Sequence, residues 1–182
     1  MIDALITSKT RIKLLTRLFL NKNARAYLRG MATEFGESSN AIRLELNRFE
    51  KAGLLTSSQD GMKKVFRANT GHPLYDDIRS ILMKHLGFDH IIEKVIEKIG
   101  DIRKVYITGD YAKGIDSGTI TLIFFGNAID AQYLKNLMNK AEKLIKRLIS
   151  YTVCDPQEES DCLQDIDKEE VLLLWKGEMA TD

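Results

Sequence analysis

SSNAIRLELNRFEKAGLL, residues 38–55, decides how the first part of this chain is read. At about 100° per residue, Ile42, Leu46 and Phe49 fall in one narrow sector of a helix, and Asn40, Arg43 and Asn47 fall on the opposite side. Ser38 or Ser39 supplies the N-cap, and Gly53 ends the helix. Such a helix packs on one face and presents an amide and guanidinium surface on the other. Arginine can grip guanine in a bidentate fashion and asparagine adenine, each worth about 1–3 kcal/mol of discrimination against a wrong base. Ser39, Asn40, Arg43 and Asn47 are therefore candidate DNA-contacting residues. Leu44 also points away from the packed sector, where it either meets a thymine methyl or packs on a neighbouring element.

Working outward, KTRIKLLTRLFL (9–20) places Ile12, Leu15, Leu18 and Phe19 at helical spacing, and a shorter segment runs from Tyr27 to Phe35 before Gly36. Downstream, Leu54–Ser58 and Lys63–Ala68 read as extended runs around Gln59-Asp60-Gly61-Met62, where Asp-Gly suits a hairpin turn. Helix, helix, helix, hairpin is the order of a winged helix-turn-helix, whose third helix enters the major groove. Arg48, Lys63, Lys64 and Arg67 suit phosphates, which supply affinity and salt dependence but no sequence information. Charge distribution agrees with this division. Residues 1–70 hold 13 Lys+Arg against 6 Asp+Glu, a net of +7, while the remainder holds 14 against 20, a net of −6. The basic part suits a polyanionic partner and the acidic part opposes one.

Pro73 is expected to open a helix, PLYDDIRSILMKHLG, and Phe88–Ile99 to continue as another, with Ile91, Ile92, Val95 and Ile99 on one face. Beyond them the period changes. VYITGDYAKGIDSGTITLIFFG (105–126) holds strands at Lys104–Thr108 and Ile120–Phe125 around a glycine-rich connection. Asp130–Ile149 reads as a long helix, with further strands at Tyr151–Cys154 and Val171–Trp175. The expected class is α+β: a winged-helix domain over 1–70, a helical connector over 71–100 that offers a dimer interface, and an α/β domain over 101–182.

Residues 38–55, with Leu46, Phe49, Gly53 and Leu54 forming an L..L...GL-like run, resemble winged-helix transcription regulators of the ArsR and MarR type over about residues 8–70. That resemblance implies double-stranded DNA as partner. Metal sensing is not expected, because neither cysteine lies there and His72, His85 and His90 are scattered. Residues 105–126 resemble the signature of the minimal nucleotidyltransferase fold, a G-S-x-A-x-G loop followed by a strand carrying Asp-x-Asp. Gly109, Ala112, Lys113 and Gly114 match the loop, but Asp110 stands at the serine position, and Thr119 and Thr121 at the two metal-binding aspartates. Hydroxyls cannot replace two carboxylates around paired divalent cations, and Asp110 opposes a triphosphate of like charge. The expectation is a catalytically disabled, nucleotidyltransferase-like domain used for sensing or oligomerisation. Gly109, Asp110, Lys113 and Gly114 form a possible ligand loop, and no metal or cofactor is expected.

Composition bounds these readings. With 44% hydrophobic and 29% charged residues and two prolines, the chain belongs to neither the disordered nor the collagen-like class. Its apolar runs fall far below the roughly 18 residues of a membrane span, and MIDALITSKTRIKLL lacks a signal-peptide core. Cytoplasmic location is expected, with Cys154 and Cys162 reduced. The summary expectation is a DNA-binding transcription regulator acting as a homodimer through the helices of 74–99, with an effector that the sequence does not name. The rival is a nucleotidyltransferase or toxin–antitoxin component acting on nucleic acid or protein.

Overall fold

Ser8 starts the first helix, α1 (Lys9–Phe19), by accepting a hydrogen bond on its side chain from the Arg11 N–H at 3.3 Å. A strand of two residues, β1 (Ala26–Tyr27), precedes α2 (Leu28–Phe35), which ends at Gly36 with φ 65°. Tyr27 is thus strand and cap rather than the first residue of the helix. Its N–H and carbonyl belong to a ladder in which Ala26 faces Phe66 and Tyr27 faces Val65. The third helix, α3 (Ser39–Lys51), leads into β2 (Leu55–Asp60) and β3 (Lys63–Ala68). These two strands pair antiparallel from Leu55↔Ala68 to Asp60↔Lys63, and Gly61 turns the chain with φ 59°. The first sheet has the order β1-β3-β2.

The computed structural model describes residues 6–92, 99 and 101–177, and over these the fold is mixed α+β with two sheets. The chain forms two compact units, Met1–His85 with Lys113–Ile115, and Leu86–Ala112 with Asp116–Asp182. The helix expected from Pro73 begins at Tyr75: α4 spans Tyr75–Leu86. Tyr75 and Leu82 belong to the core of the first unit with Leu18, Phe19, Ile42 and Leu46. Tyr75 stacks on Phe19 at 5.7 Å between ring centroids, and Arg79 donates to the Leu20 carbonyl at 3.1 Å. The apolar side chains here therefore divide: Tyr75 and Leu82 serve the first unit's own core, while Ile81 of the helix and Leu74 just before it are exposed. Of the helix expected over 88–99, a short α5 (Phe88–Ile91) is described; residues 93–98 lie outside the described residues.

In the second unit, β4 (Ile102–Thr108) pairs antiparallel with β5 (Thr119–Gly126) and with β7 (Val171–Lys176). Between β5 and its parallel neighbour β6 (Leu148–Cys154) runs α6 (Ala131–Ile145), the crossover that a parallel pair requires. The sheet order is β6-β5-β4-β7. The helix expected through Ile149 stops earlier. Lys146 takes φ 55°, a left-handed conformation that closes the helix, and Leu148 and Ile149, which continue the apolar spacing, already belong to β6. Val105, Ile107, Ile120, Leu122 and Phe124 are buried along one face. A short helix, α7 (Glu159–Leu163), lies before β7. Among the described residues no helix is long and apolar enough to cross a membrane.

Candidate nucleic-acid interface and the loop of the second unit

The cap of α3 is Ser38, whose side chain accepts from the Ala41 N–H at 3.2 Å; Ser39 is the first helical residue and half-buried. Ile42 and Leu46 are 0% exposed, and Phe49 packs against the same core. Asn40, Arg43 and Asn47 are all exposed, as is Leu44 at 52%. The amphipathic division expected from the spacing is present in three dimensions, and Leu44 lies on its outer side. Glu45 sits between two guanidinium groups, taking Arg11 Nε at 2.6 Å and Arg48 Nη1 at 2.6 Å. Arg48 is thereby partly committed, whereas Arg43 is exposed and makes no ion pair among the described residues.

In the hairpin, Lys63, Lys64 and Arg67 are exposed. Lys63 lies over the Tyr27 ring at 5.7 Å, and the Tyr27 hydroxyl bonds Asp60. Lys64 pairs with Glu50 at 2.8 Å, which ties the hairpin to the end of α3. The Lys64 hydrogen bond, helped by one from Ser57, holds the Glu50 carboxyl below its ordinary range. Helical spacing does not single out Arg29 among the exposed cations of the first unit. Arg29 of α2 lines a shallow groove with Thr33, Gly36 and Ser39, beside the start of α3; its only sequence signal was its place on the polar side of a short helix.

The loop after β4 is a 3₁₀ turn, Gly109–Lys113. Gly109 has φ 70° and open space where a side chain would stand. Gly114 differs. With φ 78°, it lies so close to α1 that an added Cβ would meet the Thr16 carbonyl oxygen at 2.2 Å. Residues 113–115 belong to the first unit, so this glycine admits backbone packing, not a ligand. Asp110 is exposed and Lys113 half-buried. Thr119 is exposed and Thr121 half-buried; they share a sheet face, and Thr108 stands across from Thr121.

A second carboxylate of this loop, Asp116, is held by hydrogen bonds. Arg147 Nη2 reaches its Oδ2 at 2.6 Å, Arg147 Nε bonds the Tyr111 hydroxyl at 2.7 Å, and that hydroxyl donates to Asp116 Oδ1. Burial opposes the charge on Asp116, but hydrogen bonds from Arg147 and Tyr111 outweigh it and keep the carboxyl below its ordinary range. Tyr111, 1% exposed, is held protonated by burial and by the Asp116 charge. Nothing local in the sequence couples Arg147 to Asp116, because the whole crossover lies between them. A similar cluster joins Lys104 and Tyr106 of β4 to Glu159 of α7, at 2.6 Å from Lys104 Nζ and 2.5 Å from the tyrosine hydroxyl.

Among the described residues, no group of three or more His, Cys, Asp or Glu side chains converges. His72 accepts on Nδ1 from the Leu74 N–H at 3.1 Å, a cap for the approach to α4. Cys154 and Cys162 are free thiols; burial and the neighbouring Cys162 push Cys154 up to about 11.

No protein-family profile matches this chain, and no curated protein does. Among solved structures, AF1382 from Archaeoglobus fulgidus is 16% identical over 51% of this chain and 98% of its own, with a TM-score of 0.37. A Sulfolobus solfataricus protein described as "a putative nucleotidyltransferase" is 24% identical over 53% of this chain and 85% of its own, with a TM-score of 0.36. Human N-acetylserotonin methyltransferase in complex with SAM is 12% identical over 53% of this chain and 32% of its own, with a TM-score of 0.29. These scores are too low for any of the three to carry an argument about this chain.

Proposed function

We propose that this chain is a DNA-binding transcription regulator whose first unit is a winged helix-turn-helix. The observation that carries the proposal is α3, where Ile42 and Leu46 are wholly buried while Asn40, Arg43 and Asn47 stand in solvent. Behind it, the β2–β3 hairpin offers Lys63, Lys64 and Arg67 at the edge where a wing meets phosphates. The +7 charge of residues 1–70 favours a polyanion. In this reading Arg43 reads a base and Arg48, restrained by Glu45, serves the backbone. Selection from a random duplex pool tests it. Arg43→Ala is expected to relax preference at one position by roughly 10-fold. Lys63→Ala with Lys64→Ala is expected to weaken all sequences alike and lower the salt slope by roughly one to two units. Equal binding of selected and random DNA at moderate salt would remove the regulator reading.

The second unit we read as a nucleotidyltransferase-like domain without catalysis. Thr119 and Thr121 bring no charge to the positions where paired metal ions need carboxylates, and Asp116 is neutralised by Arg147. Nucleotide transfer is the second reading, because the Gly109 turn leaves open space where a phosphate could approach the backbone. Magnesium-dependent turnover of a nucleoside triphosphate above a no-enzyme control would establish it over ours.

A further inference from the structure

The two edges of the second sheet are protected unequally. At one edge, β7 carries a bulge: Val105 faces Trp175 but Tyr106 faces Leu173, so Leu174 is the extra residue, and the strand ends in Lys176. Bulges and lysines are the ordinary means of keeping an edge strand from pairing with another chain. At the other edge, β6 reads Leu-Ile-Ser-Tyr-Thr-Val-Cys, without charge, proline or glycine. It follows β5 in unbroken register from Thr119↔Leu148 to Phe125↔Cys154, and among the described residues it has no neighbour on its outer side.

Backbone direction along β6 follows from two bonds. The Leu148 N–H points to β5, where it reaches the Gly118 carbonyl at 3.0 Å. Alternation then turns the N–H and C=O groups of Ile149, Tyr151 and Val153 outward. The Ile149 N–H accordingly lies away from the sheet, and Glu142 Oε1 accepts from it at 2.7 Å. Glu142 guards the beginning of the edge; Tyr151 and Val153 lie beyond it.

The strand is also its own complement. About a twofold axis at Tyr151, antiparallel pairing sets Ile149 opposite Val153, Ser150 opposite Thr152, and Leu148 opposite Cys154. Each pair matches in kind, β-branched with β-branched, hydroxyl with hydroxyl, and apolar with apolar; the Ser150–Thr152 pair is a favourable cross-strand combination, and no like charges face each other. Val153 is 43% exposed and Leu148 64% exposed, while Ile149 on the face of Val153 is buried. We propose that β6 is a homodimerisation edge, pairing antiparallel with β6 of a second copy about Tyr151 to form one continuous sheet. The Tyr151 residues exchange both backbone bonds, and each Val153 N–H donates to the Ile149 carbonyl of the other copy, so Glu142 keeps its bond. An occupant of opposite charge has nothing to recognise on this strand. This inference stands apart from the DNA reading and survives its failure.

Sedimentation velocity of the full chain at tens of micromolar is expected to give roughly twice the monomer mass. Val153→Pro removes an outward N–H that the monomer does not use, so the chain should fold with unchanged circular dichroism yet sediment as a monomer. A wild-type monomer, or a folded Val153→Pro dimer, overturns the proposal; the latter would place the dimer on another surface. If Val153→Pro does not fold, cross-linking decides. Ser150 and Thr152 would form a non-hydrogen-bonded pair across the axis, with Cα atoms about 4.5 Å apart, within disulfide range. With Cys154→Ser and Cys162→Ser as background, Ser150→Cys plus Thr152→Cys should give a covalent dimer with oxidised glutathione. No covalent dimer under those conditions refutes the β6 pairing.

Discussion

Gly109 and Gly114 stand in the same loop and look alike in sequence, but they answer to different constraints. Both have positive φ, so alanine at either position carries left-handed strain of about 1–2 kcal/mol. At Gly109 that is the whole effect, because the space is open. At Gly114 the added Cβ would also press into the Thr16 carbonyl and the Arg17 backbone, which cannot move aside as a flexible side chain would. Gly114→Ala is therefore expected to lower stability by about 3 kcal/mol or more, against about 1–2 kcal/mol for Gly109→Ala, measured by urea unfolding. Equal losses would mean that the approach to α1 is not made in solution. Asp116 offers a test of a different kind. Its folded pKa lies below the unfolded value of about 3.9, so its stabilising contribution is complete above that pH and is lost as pH falls through the folded pKa. The side chain is nearly half exposed, so solvent screens the pair and its contribution stays at about 1 kcal/mol or less. Asp116→Asn should narrow the gap to wild type in unfolding midpoint between about pH 5 and pH 2. A gap that stays constant across that range would show that the Arg147 pairing does not set the carboxyl's ionisation.

Ser38 and Ser39 show what an element discloses before folding and what it withholds. Either serine satisfies the cap pattern; the structure chooses Ser38, whose side chain reaches the Ala41 N–H, and places Ser39 inside α3. Ser38→Ala should cost about 1 kcal/mol and Ser39→Ala only a few tenths, by thermal or chemical unfolding. The reverse order would make Ser39 the cap and shift the start of α3 by one residue. Local signals carried much of this unit: the two faces of α3 follow from helical spacing, and Gly36, Gly53 and Gly61 mark the ends and turn they were expected to mark. Signals fail where the deciding contact is distant. Two residues, Ala26 and Tyr27, are too few to show strand alternation, and they become a strand only because β3 lies beside them. Leu148 and Ile149 prolong the apolar period of α6, yet left-handed Lys146 breaks the helix and Gly118 draws Leu148 into the sheet. Arg147, the partner of Asp116, was illegible for the same reason.

At the scale of the molecule, the informative difference lies in α4. Composition and the basic-to-acidic change suggest a boundary near residue 70, with the following helices as a connector. Contacts instead assign Tyr75 and Leu82 to the core of the first unit, where Tyr75 stacks on Phe19 and Arg79 satisfies the Leu20 carbonyl just beyond α1. A charge change reports the surface, whereas a boundary is set by what is buried, and α4 alternates between the two with acidic residues in its first turn. A fragment ending at Thr70 exposes the side chains that Tyr75 and Leu82 cover. Removing a buried aromatic and a buried leucine costs about 3–5 and 2–5 kcal/mol respectively when each is truncated to alanine, and these sums approach the whole stability of a small domain. Residues 1–85 are therefore expected to unfold cooperatively on heating, while residues 1–70 should show a broad, weakly cooperative transition. If the shorter fragment matches the longer in midpoint and steepness, α4 is a connector after all and the first unit closes on its three helices and hairpin alone. Should DNA binding be found, the same pair of fragments separates contact from support. All the proposed DNA contacts lie before residue 70, so loss of affinity in the shorter fragment that is restored at low temperature would trace to folding rather than to missing contacts.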